Sequence, residues 1–306
     1  MKNCVTSMLL AACLFAGLAP GAARALGDGD NDKANIVKKP QSNMRASMET
    51  MQIPSHGSQM NALVYVAAGA GPHPAVVLLH GFPGNERNLD LAQDIRRAGW
   101  DVVYFNYRGS WGSSGDFSFS HGIEDTAVAL AYLRQPENAR RLRLDASRIV
   151  LIGHSMGGFM AVQAASADPA VKGIAMISAA DMGGVFEQMS AKEPHAKAVH
   201  EMSAGLAGEG MAPLSGCTPD GLAKELAEHA SAWAFTSKAD TLKGRPVLVV
   251  TSDDGLANAD NAFAAALRQA GDTKVTSMHF PTDHAYSDQR IELSHTVLQW
   301  LEQFGK

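Results

Sequence analysis

Cysteine is scarce in this chain, with three residues among 306. Cys4 and Cys13 lie within the first 25 residues, so Cys217 is alone in the rest of the sequence. A single cysteine cannot form an intrachain disulfide, which excludes a disulfide-stabilised fold. Cys217 lies in a segment flanked by proline and glycine with no obvious base, and we do not expect it to act as a nucleophile.

Positive charge is also in short supply. The chain has 26 lysine and arginine residues against 31 acidic ones, a formal net charge of −5, and no basic cluster. Nucleic-acid binding requires such a cluster, as does attachment to an anionic membrane, so neither partner is expected. The histidines show no metal-ligand spacing, and the Gly-rich loop at 107–121 lacks the Lys-Ser/Thr ending of a phosphate-binding loop. We therefore predict no metal and no cofactor.

The only long apolar run in the sequence is near the N-terminus, from Val5 to Leu18. A lysine precedes it, and Ala23-Arg24-Ala25 has the small-x-small pattern of a cleavage site. This predicts a signal peptide at 1–25 and a secreted or periplasmic protein. Leu-Ala-Ala-Cys at the run's centre also resembles a bacterial lipobox, in which case Cys13 would carry lipid and anchor the protein to a membrane.

The rest of the chain divides by composition. Residues 26–48 are rich in Asp, Asn, Lys and Gly and predict a flexible linker. From 49 to 306, continuous apolar runs alternate with helical patterns, which predicts an α/β fold with a mostly parallel central sheet flanked by helices. Residues 181–240 interrupt this rhythm with two helical stretches, 185–205 and 220–234, and predict a cap-like helical insertion over the sheet.

One turn stands out as a candidate for chemistry. The apolar run Arg148–Ile152 ends in Gly-His-Ser-Met-Gly, and a helical pattern of small residues follows from Phe159. Gly153 and Gly157 remove side chains where a sharp turn would otherwise clash. A strand, a tight turn and a helix together form the context of a nucleophile elbow, which exposes the hydroxyl of Ser155.

Two aspartates and then a histidine directly follow two of the later predicted strands. Asp253-Asp254 follows an apolar strand at 246–251, and His284 follows the next strand at 274–280. Serine, aspartate and histidine in this chain order are typical of the α/β-hydrolase catalytic triad. The other matching features are the turn His80-Gly81-Phe82 and the loop Asn106–Ser110. Residues 49–306 thus resemble the α/β-hydrolase superfamily, in particular the dienelactone-hydrolase-like esterases and prolyl-oligopeptidase-type serine hydrolases.

This resemblance implies a role for each of these side chains. Ser155 would be the nucleophile, His284 its general base, and Asp254 the carboxylate that orients the imidazole. Asp253 stays an alternative for that carboxylate, as does Asp181, which also follows a strand.

Further residues are expected to bind substrate or the transition state. The backbone N–H groups of Phe82 and Met156 would form the oxyanion hole. Arg108 would either bind a substrate carboxylate or pin its own loop by a salt bridge. Met182 and the other methionines of the insertion would line an apolar pocket or pack the insertion's own core.

The resemblance therefore implies an exported serine hydrolase that cleaves a small-molecule ester or a short peptide through an acyl-enzyme. A peptidase, an amidase or an acyltransferase would use the same residues. A non-catalytic binding protein that keeps the hydrolase fold is a further alternative.

Overall fold

The computed structural model describes residues 44–305. The predicted signal peptide and the predicted linker as far as residue 43 lie outside the described residues. The first strand begins at Ser47, two residues before the expected start of the catalytic domain at 49.

Within residues 44–305, eight strands form one sheet. They are β1 Ser47–Ser55, β2 Ser58–Val66, β3 His73–Leu79, β4 Asp101–Phe105, β5 Leu144–His154, β6 Ile174–Ile177, β7 Val247–Thr251 and β8 Val275–His279. The α-helices of the same range are α1 Leu89–Arg97, α2 Phe119–Arg134, α3 Pro136–Leu142, α4 Met156–Ala167, α5 Met182–Ser190, α6 His195–Gly208, α7 Pro219–Trp233, α8 Ala239–Leu242, α9 Ala257–Gln269 and α10 Arg290–Leu301.

The strand order is β1-β2-β4-β3-β5-β6-β7-β8. β1 pairs antiparallel with β2, and β2 antiparallel with β4, while all other neighbours are parallel. The mostly parallel sheet flanked by helices confirms the predicted fold class. Because β3 and β5 to β8 run in the same direction, the loops at their carboxyl ends meet at one edge of the sheet.

Strand β3 shows why the sheet is covered on both faces. Val77 and Leu79 point into one apolar cluster, together with Phe159 of α4. Val76 and Leu78 point into the other, which contains side chains of α1 and α10. A strand that buries both of its faces reads as a continuous apolar run, as this one does.

The helical insertion differs from the sequence-based expectation. The predicted helix at 185–205 is two helices, α5 and α6, separated at residues 191–194. Pro194 provides the reason, since it lacks an N–H group and disfavours a helical conformation in the residue before it. Helix α3 was missing from the prediction altogether. No helix within residues 44–305 combines the length and apolar character that crossing a bilayer requires.

Candidate active site

Ser155 occupies the turn between β5 and α4 in a conformation that side-chain-bearing residues rarely adopt. Its φ is 57° and its ψ is −125°, outside the three regions that sterics allow. Hydrogen bonds hold the turn: the Ser155 N–H donates to Ile177 O at 2.9 Å, and the Ser155 carbonyl accepts from Ala180 N–H at 3.0 Å. The neighbouring strand β6 and the segment after it therefore impose this backbone geometry.

Glycines around the turn permit this close approach. A Cβ on Gly153 would overlap the backbone of Gly157, and one on Gly157 would overlap the carbonyl of Leu79. A Cβ on Gly81 would lie 2.9 Å from Ser155 Cβ and 3.3 Å from its Oγ. The loop after β3 thus packs directly against the serine, a contact that the sequence analysis did not anticipate.

The two residues expected to supply the oxyanion-hole N–H groups, Phe82 and Met156, each directly follow a residue of this contact. Met156 is the first residue of α4, where backbone N–H groups have no partner within the helix. Phe82 follows Gly81 in the loop after β3, and both Phe82 and Met156 line the cavity that contains Ser155.

His284 and Asp254 form a hydrogen-bonded pair. His284 Nδ1 donates to Asp254 Oδ2 at 2.7 Å, and the Asp254 side chain is only 5% exposed. This bond places the proton on Nδ1, so the Nε2 of the neutral imidazole is left free to accept one. The pair joins the loop after β8 to the loop after β7.

The environment of Asp254 keeps its carboxylate ionised. Burial by itself raises the pKa of Asp254, but hydrogen bonds from His284, the Leu256 N–H and the hydroxyls of Ser178 and Ser252 outweigh it. The pKa therefore lies well below its ordinary value. An ionised carboxylate beside Nδ1 stabilises an imidazolium at His284.

A hydroxyl cluster behind Asp254 escaped the sequence analysis. Ser178 Oγ lies 2.8 Å from Ser252 Oγ and 2.9 Å from Tyr286 Oη, and all three side chains are buried. Burial raises the pKa of Tyr286 to about 12, so its hydroxyl remains a donor. These residues come from the loops after β6, β7 and β8, and serines and a tyrosine at such separations form no sequence motif.

His154, next to Ser155 in sequence, supports the loop that carries His284. Its Nε2–H donates to the His284 carbonyl at 2.8 Å, and the two rings lie 4.5 Å apart between centroids. Burial lowers the pKa of His154 to about 4, so it is neutral near pH 7. His154 thus acts on the backbone of the loop and not on the nucleophile.

A cavity of about 510 Å³ opens at Ser155. Its lining residues are Phe82, Ser155, Met156, Ala180, Met182, Met202, Gly205, Leu206, Glu209, Asp254, Leu256 and His284. Met182 and Met202 belong to the insertion, as do Gly205 and Leu206 of α6. The structure therefore places two of the insertion's methionines, Met182 and Met202, in the cavity.

A smaller cleft of about 170 Å³ lies on another side of the serine. It is lined by Gly81, Phe82, Pro83, Gly84, Asn85, Glu86, His154, Ser155, Glu209 and His284. Ser155 and His284 belong to both cavities, so substrate groups on both sides of a scissile bond have space.

Two alternatives for the acidic residue have other partners. Asp253 is exposed, and its Oδ1 lies 3.2 Å from His279 Nε2. Asp181 caps α5, where it accepts from the N–H groups of Gly184 and Phe235 at 3.0 and 3.1 Å. Only Asp254 of the three contacts His284 within the described residues.

Of the two roles considered for Arg108, its contacts are those of the second, in which it pins its own loop by salt bridges. Its guanidinium Nε donates to Asp125 at 2.6 Å and its Nη2 to Glu124 at 2.5 Å, and the side chain is 6% exposed. Arg108 is not among the residues that line either cavity. The two carboxylates belong to α2 and lie 16 and 17 residues after Arg108 in the sequence, so the pairing was not visible beforehand.

No group of three or more His, Cys, Asp or Glu side chains within residues 44–305 is placed to hold a metal ion. Cys217 is half-buried, and burial raises the pKa of its thiol, which disfavours the thiolate.

Comparison with known proteins supports the fold independently. A family model described as the alpha/beta hydrolase fold matches residues 74–205. The chain is similar in structure to Est1E from Butyrivibrio proteoclasticus, with a TM-score of 0.62, 18% identity, and coverage of 83% of this chain and 98% of that one.

Two other esterases are similar to a comparable degree. Brefeldin A esterase, a bacterial homologue of human hormone-sensitive lipase, gives a TM-score of 0.61 at 22% identity, over 88% of this chain and 80% of that one. The Pyrococcus furiosus esterase Pf2001 gives a TM-score of 0.59 at 15% identity, over 85% of this chain and 92% of that one. At these identities the likeness concerns the fold.

Proposed function

We propose that this chain, which has the α/β-hydrolase fold, is a serine hydrolase that cleaves carboxylic esters through an acyl-enzyme. The observation that carries the proposal is the meeting of Ser155, His284 and Asp254 at one cavity, with His284 Nδ1 hydrogen-bonded to Asp254 at 2.7 Å. Each of the three follows a different strand, so the fold itself brings them together.

The reaction follows from the tautomer of His284. The Ser155 hydroxyl is too weakly acidic to attack unaided, and His284 Nε2 accepts its proton as Oγ attacks the ester carbonyl. The backbone N–H groups of Met156 and Phe82 stabilise the oxyanion of the tetrahedral intermediate. The alcohol then leaves with the proton from His284, and water, activated by the same imidazole, releases the acid and regenerates Ser155.

The surroundings favour an ester of a small molecule. The larger cavity has the size of a typical small-molecule site and is walled by Met182, Met202 and Leu206. Several solved structures with a similar fold are esterases, and one of them, Est1E, has been solved with ferulic acid bound. The proposal for this chain is therefore hydrolysis of an ester whose acyl group is apolar.

Hydrolysis of p-nitrophenyl esters of increasing chain length tests this proposal. Ser155→Ala should lower kcat by more than roughly 10⁴-fold, because removal of the nucleophile leaves only binding and the oxyanion hole. Its thermal unfolding should stay close to that of the wild type. Undiminished turnover in Ser155→Ala would refute the assignment, and faster cleavage of aminoacyl arylamides than of esters would make the enzyme a peptidase or amidase.

Transfer of the acyl group to an acceptor other than water would appear in the products. Added alcohols or amines would then be acylated in preference to hydrolysis. Correctly folded protein that turns over no ester and reacts with no serine-directed probe would instead be a binding protein.

Export is part of the proposal and rests on residues 1–25. Intact-mass measurement of the protein from a secreting host should give a chain that starts at Leu26. A lipid-modified chain that starts at Cys13 would show a lipoprotein, and an unprocessed N-terminus would contradict export.

A further inference from the structure

Four residues line both cavities, Phe82, Ser155, Glu209 and His284, and Glu209 is the one among them with a carboxylate. It follows the last residue of α6 and is exposed, and its own N–H donates to Leu206 O at 3.3 Å. Within the described residues its carboxylate has no lysine or arginine partner within salt-bridge distance. A substrate held at Ser155 on either side therefore meets this negative charge.

The smaller cleft contains a second carboxylate. Glu86 lies on its other wall, where Oε1 accepts from the Asn88 N–H at 2.6 Å. No lysine or arginine lines either cavity. The nearby cations are engaged elsewhere: the Arg87 guanidinium lies 4.1 Å from the centroid of the Trp111 ring, and Arg290 pairs with Asp90 at 2.5 Å.

The position of Glu209 is unfavourable for the helix that precedes it. A helix carries partial negative charge at its C-terminus, where lysine, arginine or histidine is stabilising and glutamate is not. Helix α6 has no basic residue in its last turn that would offset this. A side chain that breaks a local rule without a structural partner points to a functional use.

We propose that Glu209 is a specificity-determining residue that makes the smaller cleft select a positively charged group and disfavour an anionic one. The preferred substrate class is then an ester with an apolar acyl group in the larger cavity and an alcohol that carries an ammonium group in the smaller one. This inference rests on the proposed esterase function.

Coulomb's law sets the scale of the effect. For an exposed carboxylate that faces an ammonium group across a solvent-filled cleft, the expected effect is about a three- to tenfold preference. Since the cleft is open to solvent, salt should reduce this preference.

The test compares three esters of one short fatty acid: a choline ester, its neutral 3,3-dimethylbutyl isostere, and an ester whose alcohol carries a carboxylate. In Glu209→Gln, the ratio of kcat/KM for the choline ester to that for the neutral ester should fall about three- to tenfold. The anionic ester should improve relative to the neutral one. The preference of the wild type should shrink as the salt concentration rises, and that of the variant should shrink less, because only Glu86 is left in the cleft.

Glu201→Gln is the matched control. Glu201 lies on the same helix and carries the same charge, but it lines neither cavity and lies 3.6 Å from Lys197. Its removal should leave the charge preference unchanged. The melting temperature of Glu209→Gln should equal or exceed that of the wild type, because the helix loses an unfavourable terminal charge.

The outcomes separate the two levels of the proposal. An unchanged charge ratio in Glu209→Gln, with ester hydrolysis intact and dependent on Ser155, would overturn the role of Glu209 and leave the esterase assignment standing. An equal fall in Glu201→Gln would also overturn it, because the effect would then be one of net charge. Failure of the wild type to hydrolyse any of the three esters would overturn both.

Discussion

The backbone strain at Ser155 can be measured as stability. A residue with a Cβ at φ 57° and ψ −125° incurs a steric cost that glycine does not. Ser155→Gly should therefore be more stable than Ser155→Ala, although both remove the hydroxyl. At an ordinary helical position the order of these two residues is the opposite.

The magnitude follows from two opposing terms. Strain of this kind costs about 1–3 kcal/mol, and glycine gives back about 0.4–1 kcal/mol through the greater freedom of the unfolded chain. The net advantage of Ser155→Gly over Ser155→Ala should be about 1 kcal/mol. For a domain of this size that corresponds to roughly 2–4 °C in melting temperature.

Urea and thermal unfolding of the two variants provide the assay. Ser166, in the last turn of helix α4, supplies the control, because it has helical geometry and its hydroxyl donates to the Val162 carbonyl. There, Ser166→Gly should be less stable than Ser166→Ala, by up to about 1 kcal/mol. If Ser155→Gly proves equal to or less stable than Ser155→Ala while the control behaves as expected, the turn is not strained and the reasoning is refuted.

Three further predictions concern the acid, the cavity and pH. Asp254→Asn should keep the fold and lower kcat by roughly 10³–10⁴-fold, because no carboxylate then holds the tautomer of His284, whereas the kcat of Asp253→Asn should stay within about twofold of the wild-type value. Equal losses of kcat in steady-state assays would contradict the choice of Asp254. Gly205 lines the cavity with open space beside its Cα, so Gly205→Leu should shift the preferred p-nitrophenyl ester to shorter acyl chains. Gly208→Leu, outside the cavity, should not cause this shift. The same chain-length profile in both variants would refute the idea that this cavity holds the acyl chain. Burial raises the pKa of Asp101 to about 7, while its Oδ1 accepts from the Ala67 N–H. The stability that its protonated form contributes is complete below about pH 4 and lost as pH rises through about 7. In urea titrations over that range, the wild type should therefore lose roughly 2–4 kcal/mol of unfolding free energy relative to Asp101→Asn. The same pH dependence of stability in both proteins would contradict this.

Parts of the fold and the site were predictable because their signals are local. The continuous apolar run of β3 and the glycines around Ser155 are each confined to a few neighbouring residues, and both interpretations of the sequence follow from backbone sterics. The chain order of Ser155, Asp254 and His284 could also be interpreted from the sequence, because each residue follows a predicted strand and parallel strands end at one edge of a sheet.

Other features depend on contacts between distant parts of the chain. Arg108 is held by acidic residues of α2, and its charge alone does not distinguish that pairing from substrate binding. The choice between Asp253 and Asp254 depends on which way two consecutive side chains point after β7. The placement of Glu209 beside Ser155 depends on how α6 packs against α5 and α7, and helical periodicity does not encode this.

The pH behaviour of the histidines shows the same limit. His80 and His154 have pKa values lowered to about 4 by burial, and this burial arises from the packing of several loops. Each histidine is neutral in the fold, so the stability it contributes is complete above about pH 6.5 and lost as pH falls toward 4. This trend opposes that of Asp101, and comparison with the Asp101→Asn variant separates the two.

The central claim is that Ser155 becomes acylated during turnover. Treatment with a fluorophosphonate probe, followed by digestion and peptide mass spectrometry, tests it most directly. The probe should label one site, Ser155, at near-stoichiometric occupancy and abolish ester hydrolysis in proportion to labelling, and Ser155→Ala should remain unlabelled. Labelling at another residue, or full ester hydrolysis by protein whose Ser155 is fully labelled, would contradict the account.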